Sequence, residues 1–293
     1  MLTNTLINEY KVKFDKYYFQ LLKSNLNSSI LSKAMIYGSI NGGKRIRPFL
    51  VEQAAKIANA KKNEYFRLSA AIESIHSYSL IHDDLPSMDN DDFRRGKLST
   101  HKKFNEATAI LAGDALHDLS FEILSDQKTS KHASIRVQLV NNLAIALGHK
   151  GLAAGQSLDL LYENKRSTLK KIINMYKLKT SALFEFTFSS PFILTNHPNE
   201  VINFYKQYGS LFGLIFQIVD DLIDENKSFK LIGKTPGKDK VQGKSTMLNL
   251  LGRKKVIEYC NNETNKFIKK NREYFKKNSI LKDLLKYSLE RIN

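Results

Sequence analysis

The stretch "VINFYKQYGSLFGLIFQIVDDLID", Val201 to Asp224, decides the fold class. It is apolar along most of its length, lacks the alternation of a half-buried strand and contains no proline, so it reads as one long helix. Gln217, Asp220, Asp221 and Asp224 fall at i, i+3, i+4 and i+7, which gathers them into one polar stripe. Around that stripe stand Phe216, Ile218, Val219, Leu222 and Ile223. Taken alone, such a cluster reads equally as an exposed acidic cap. Facing inward, its carboxylates need a cation.

The same helical period runs through "IHSYSLIHDD", "ATAILAGDALHDLSFEIL" and "VQLVNNLAIALGHKGLAAGQSLDLLY". The chain has only five prolines, and its turn signals are few: "NGGKRIRP", the Pro86 region, "SSPF" at Pro191, "NHPNE" at Pro198 and "GKTPGKDKVQGK". No linker-like shift in composition and no repeat divides the 293 residues. One all-α domain over residues 1–293, a large helical bundle, is the expected architecture.

Net charge is +17 with an isoelectric point near 9.7, which invites a nucleic-acid reading. Many of the basic residues lie in segments such as "NETNKFIKKNREYFKKN", Asn262 to Asn278, with apolar residues at helical spacing between them. Such runs are ordinarily solvated helix faces, and no helix-turn-helix, zinc or RNA-recognition signature accompanies them. A basic nucleic-acid-binding protein is therefore a remote alternative, and no nucleic-acid partner is expected. Cys260 is a lone cysteine, excluding an internal disulfide, and reads as a small helix hydrophobe. No run of about 18 apolar residues is present, and "MLTNTLINEYKVKFDKYY" is too polar for a signal peptide. A cytoplasmic protein with no membrane insertion is the expectation.

A second acidic cluster, "LIHDDLPSMDNDDFRRG", holds five aspartates between Asp83 and Asp92, followed at once by Arg94 and Arg95. A helix beginning near Ala70 and running to Asp84 places His76, Ser79 and Asp83 on one face. Pro86 disfavours the helical conformation at Leu85 and ends that helix. The aspartates then sit at a helix C-terminus, where the macrodipole is already negative, so only a cation stabilises them. Carboxylate oxygens without a cysteine cluster select Mg²⁺.

Mg²⁺ held by a few carboxylates completes its shell with water and substrate phosphate, and the basic motifs suit such a substrate. "GGKRIRP" supplies Lys44, Arg45 and Arg47; "FRRG" supplies Arg94 and Arg95; "KT" supplies Lys179 and Thr180; "GKTPGKDKVQGKS" supplies Lys234, Lys238 and Lys244. Arginine pairs bind phosphate bidentately, and lysines act as mobile point charges.

With "GGKRIRP", "LIHDDLPSMDNDDFRRG", "AILAGDAL", "GQSLDL", "KT", "FQIVDDLID" and "GKSTML" in this order, the chain resembles the trans-type polyprenyl diphosphate synthases, and among them the bacterial farnesyl diphosphate synthases. The resemblance implies an isoprenoid-synthase helical bundle around a deep central cavity, a homodimer, and head-to-tail condensation of isopentenyl diphosphate with dimethylallyl or geranyl diphosphate. The implied product is (2E,6E)-farnesyl diphosphate, with geranylgeranyl or geranyl diphosphate as the alternative. It assigns Asp83, Asp84 and Asp89 to a first metal motif and Asp220, Asp221 and Asp224 to a second, together holding three Mg²⁺ ions. Lys44, Arg47, His76 and Arg95 match the isopentenyl diphosphate pocket. Arg94, Lys179, Thr180, Gln217, Lys234 and Lys244 match contacts to the allylic diphosphate. The catalytic set is Asp83, Asp84, Arg94, Lys179, Thr180, Gln217 and Asp220. Tyr78, with Ser79, matches an aromatic floor that limits chain length, and Phe212, Phe216 and Ile81 are expected on the cavity wall. Three positions depart from the pattern: Ala154 stands where a second glycine is usual, and Pro236 and Lys238 stiffen and charge the Lys234 loop.

Overall fold

The computed structural model describes residues 4–224 and 244–291. Helices α1 (Asn4–Asn25), α2 (Ile30–Ile40), α3 (Ile46–Ile57) and α4 (Lys62–Asp83) lead to a small hairpin, and α5 (Thr100–Lys103), α6 (Glu106–Ser125), α7 (Ala133–Leu147) and α8 (Leu152–Leu161) follow. Next come α9 (Leu169–Tyr176), one π-helical turn (Lys177–Ser181), α10 (Ala182–Leu194) and α11 (Asn199–Asp224). Past the undescribed stretch lie α12 (Met247–Leu251), α13 (Arg253–Lys270), α14 (Arg272–Lys277) and α15 (Ile280–Glu290). The all-α expectation holds.

Local chemistry sets many boundaries. Ser29, Asn105, Thr168 and Thr246 each accept a hydrogen bond from the backbone N–H three residues on, capping α2, α6, α9 and α12. Helix α4 packs on α3 and α6, and α10 on α11, α7 and α3. Between them lies the main core, in which Ile72, Ile75, Phe184, Phe188 and Phe212 are fully buried. A smaller core joins α9, α11, α12 and α13 through Met175, Ile218, Leu222, Met247 and Cys260. Burial pushes the Cys260 thiol up to about 12, as befits a packed hydrophobe. Among the described residues, no helix is long and apolar enough to cross a membrane.

Three local expectations fail. Helix α4 begins at Lys62 rather than near Ala70. Its first turn is polar, but Tyr65, Phe66 and Leu68 are buried and fix it to the core. Pro191 lies inside α10, not in a turn. It falls in the last turn, where the helix has little further to run past the lost bond, and its buried ring packs in the core. The stretch Phe93–Leu98, read only as a basic motif, forms an antiparallel hairpin with Phe93 opposite Leu98 and Arg94 opposite Lys97. Arg95 and Gly96 occupy its turn with φ of 55° and 77°, the left-handed pair that suits a two-residue hairpin.

Candidate active site

A cavity of about 760 Å³ opens between α4, α11, the loop before α3, the hairpin and α15. Asp83 and Asp89 line it on one side, and Asp220, Asp221 and Asp224 on the other. Their positions follow from the helix ends. Helix α4 stops at Asp83, and the chain folds back so that Asp89 N–H donates to the Asp83 carbonyl at 2.8 Å and Asp91 N–H to the Asp84 carbonyl at 3.1 Å. Those bonds satisfy carbonyls left open at the helix terminus. They also return Asp89 beside Asp83 across the five intervening residues Asp84 to Met88.

Asp84 departs from expectation. It is buried, does not line the cavity, and both Arg94 Nε (2.8 Å) and Arg94 Nη2 donate to its Oδ1. Asp84 is the residue just past the last turn of α4, and its pairing with Arg94 turns it away from the cavity that Asp83 lines. Burial raises the Asp84 carboxyl to about 6 even against the Arg94 charge. Asp84 is thus an anchor for Arg94, which itself lines the cavity.

The second wall is tied to distant elements. Tyr176 OH donates to Asp221 Oδ2, and Gln217 Nε2 donates to Asp221 Oδ1 at 2.8 Å. Thr180 Oγ1 donates to Gln217 Oε1 at 2.7 Å, so the amide's orientation is set from both ends. Arg291 donates to Asp220, and its guanidinium lies 3.9 Å from the centre of the Phe216 ring. Lys179 and Thr180 reach the cavity from the π-helical turn, and such turns often occur at functional sites. Lys179 Nζ lies 2.5 Å from Asp159, and Lys244 Nζ 3.1 Å from Asp89.

The anion end is cationic. Lys44, Arg47, His76 and Arg95 all line it. Arg47 Nη1 stands 3.4 Å from His76 Nδ1, and its guanidinium lies 4.5 Å from the centre of the Phe184 ring. Arg47 Nε is buried without a hydrogen-bond partner, and burial lowers the group to about 10. Burial, then Arg47, holds the His76 imidazole well below its usual range, hence neutral. Gly43 is crossed by the Arg95 side chain, with 2.7 Å between the Arg95 guanidinium carbon and the place a Cβ would occupy, and Arg95 Nη1 donates to the Gly42 carbonyl at 2.8 Å. Side chains at either glycine would also be strained by φ near +95°.

Several partners escaped the sequence reading. Glu73, 1% exposed, pairs with Arg45, whose Nε also donates to Asp15 at 2.6 Å and Nη2 to the Ser39 carbonyl at 2.8 Å. Arg45 therefore fastens the start of α3, with Lys44 before it and Arg47 in its first turn, to α1 and α4. Asp159, Tyr176, Tyr287 and Arg291 also line the cavity. A buried carboxylate on α4 hinted at Glu73, but no sequence signal marked Arg291. Phe216 and Leu80 supply apolar wall. Phe212 and Ile81, expected there, are packed in the core instead. Tyr78 and Ser79 do not line this cavity: the Tyr78 ring meets His82 and His117, and Ser79 Oγ donates to the His76 carbonyl at 3.0 Å. Tyr78 is 140° around the helix from Asp83 on roughly 100° per residue, which turns it toward α6. Lys234, with Pro236 and Lys238, lies outside the described residues.

Sequence and fold comparisons agree with this geometry. Residues 28–287 match the profile of the polyprenyl synthetase family. A farnesyl diphosphate synthase of Micrococcus luteus is 40% identical over 263 residues, 90% of either chain. Geranylgeranyl pyrophosphate synthase 4 of Arabidopsis thaliana is 40% identical over 78% of this chain and 62% of its own. A Helicobacter pylori geranyltransferase, solved with magnesium and isoprenyl diphosphate, superimposes with a TM-score of 0.84 at 30% identity, covering 100% of this chain and 98% of that one. The chain belongs to the polyprenyl synthetase family.

Proposed function

We propose that this protein is a Mg²⁺-dependent prenyltransferase that condenses isopentenyl diphosphate with dimethylallyl and then geranyl diphosphate to give (2E,6E)-farnesyl diphosphate. One observation carries the reading: two aspartate walls and a cationic end, with an unpartnered buried guanidinium nitrogen, face a single cavity. The farnesyl product length is supported by relatives named farnesyl diphosphate synthase at 40% and 38% identity.

The donor set fits Mg²⁺ in its chemistry, being carboxylate oxygens only. Among the described residues, no three His, Cys, Asp or Glu side chains form a group that could hold an ion alone. Asp83 and Asp89 of the first motif, with Asp220, Asp221 and Asp224 of the second, would hold the three ions, with Asp84 positioned behind them through Arg94, and water and diphosphate would complete the shells. Bound there, Mg²⁺ supplies Lewis-acid stabilisation of the departing diphosphate. Arg94, Lys179, Lys244 and, outside the described residues, Lys234 add positive charge to the same group.

The allylic C–O bond breaks and its electron pair leaves with the diphosphate. Lys44, Arg47, His76 and Arg95 hold isopentenyl diphosphate so that its alkene closes the new C–C bond. The proton lost from the adjacent carbon passes to the released diphosphate, so no side-chain nucleophile is needed. Thr180 and Asp221 fix the Gln217 amide, whose oxygen dipole can face the cation. Phe216 and Leu80 keep water from it.

The 293 residues act as one domain, and exposed Ile110 and Leu111 on α6 with Val137 and Ile145 on α7 support a homodimer through that face. The decisive experiment incubates the protein with Mg²⁺, isopentenyl diphosphate and either allylic substrate, then separates the products. Accumulation of the fifteen-carbon diphosphate is expected; no elongated product would overturn the assignment. Tyr78 serves as the floor only if the growing chain opens space toward α6, so Tyr78→Ala should lengthen the products. Unchanged lengths would remove Tyr78 and Ser79 from that role.

A further inference from the structure

The motif "GQSLDL" in α8 has so far no part in the chemistry, yet it reaches the allylic end of the cavity. Gly155 and Asp159 are one turn apart on one face of α8. A Cβ at Gly155 would run into the backbone of Lys179, so glycine there lets α8 close onto the π-helical turn. That approach sets Asp159, 6% exposed, at the cavity wall, with Lys179 Nζ at 2.5 Å from its Oδ2 and Lys244 Nζ at 3.4 Å from the same oxygen. Two ammonium groups from segments 65 residues apart thus meet on one buried carboxylate oxygen. Lys244 also reaches across to Asp89 of the first aspartate wall at 3.1 Å.

We infer that Asp159 is a positioning residue for the allylic diphosphate: its carboxylate gathers Lys179 and Lys244 into one cation pair at the wall between the two aspartate motifs. The inference rests on the prenyltransferase reading and adds to it a residue that the metal and substrate assignments leave out. Physically, two ammonium groups this close repel each other, and a carboxylate between them offsets that repulsion and fixes both long side chains. Burial alone would raise the Asp159 carboxyl, but the Lys179 and Lys244 charges outweigh burial and hold it below its usual range. Diphosphate arriving at the pair meets charges already in place, so less ordering remains to be done in the reaction.

The test is Asp159→Asn, which keeps shape and removes the charge, alongside Asp159→Glu, which keeps the charge and displaces it. Asp159→Asn should lower kcat/KM for the allylic substrate by about 10- to 100-fold, with KM for isopentenyl diphosphate within about twofold. Asp159→Glu should fall between it and wild type. In a Lys179→Met, Lys244→Met background the same Asp159→Asn change should cost less than about threefold, since its effect is exerted through those two lysines. An equal loss in both backgrounds, or an equal loss for both substrates, would reduce Asp159 to a structural residue and overturn the proposal. Tighter binding of inorganic pyrophosphate by Asp159→Asn at unchanged kcat would make Asp159 a mere counter-charge and overturn it as well. Wild-type protein that forms no prenyl product would instead sink the underlying functional reading, a result seen before any variant is made.

Discussion

Both aspartate motifs end a long helix at the rim of one cavity, yet they are held in different ways. At the end of α4 the support is mostly local, with Lys244 on Asp89 a distant contact. Asp84 is buried against Arg94, ten residues on, and the intervening turn hydrogen-bonds back to the helix end. At the end of α11 the support is remote. Asp221 is held by Tyr176, 45 residues away in sequence, and Asp220 by Arg291, 71 residues away. The turn of the first wall is closed by bonds within its own segment, whereas the second wall is held by residues of α9 and next to α15. The comparison teaches that two motifs of like chemistry can differ in how much of the fold they depend on.

The largest effects should be common to the two walls. Asp83→Asn and Asp220→Asn each replace a charged ligand with a neutral one of the same size, and each should cut turnover by about 10³-fold. Helix content should be unchanged by circular dichroism. Near-normal turnover in either variant would mean that only the other wall serves the chemistry.

The difference between the walls should appear in stability. Arg94→Ala leaves the Asp84 carboxylate, 3% exposed, without its partner, at a cost of about 3 kcal/mol or more. Tyr176→Phe leaves Asp221 its Gln217 bond and should cost about 1–2 kcal/mol. Urea unfolding midpoints compare them, and equal costs would erase the local-versus-remote distinction. In the anion pocket, Arg95→Ala should raise KM for isopentenyl diphosphate about tenfold and leave that for the allylic substrate nearly unchanged. An effect on the allylic substrate alone would reverse the roles given to Arg94 and Arg95. The smallest effect belongs to Arg291→Met. Its partner Asp220 is 37% exposed, and solvent screening limits such a pair to roughly 1 kcal/mol or less. A larger loss would show that α15 supports the second wall more firmly than its exposure implies.

This contrast also explains what could be read from the sequence. The α11 stripe and the Asp83 to Asp92 cluster were legible because both are matters of spacing along one segment. Their helical setting followed from apolar period and from Pro86. What spacing cannot show is which neighbour a side chain finds across the fold. Arg291, Tyr176 and Glu73 each meet the site through tertiary packing, and only Glu73, a carboxylate inside an apolar run, is marked by its own surroundings. Adjacency in a motif also hides that Asp84, one residue past the helix, turns onto Arg94 while Asp83 faces the cavity. The hairpin was missed because "FRRGKL" was read for its charge, although Gly96 following Arg95 also suits a two-residue turn. Apolarity does not separate Phe212 and Ile81, packed in the core, from a cavity wall, because core and wall share it.

The central claim is that the two walls, one locally built and one assembled from afar, grip one diphosphate through shared metal ions. Calorimetric titration with inorganic pyrophosphate, with and without Mg²⁺, tests it in wild type, Asp83→Asn and Asp220→Asn. Shared ions predict that Mg²⁺ tightens wild-type binding by at least about tenfold and that either substitution abolishes the tightening. Tightening that survives in both variants would contradict it.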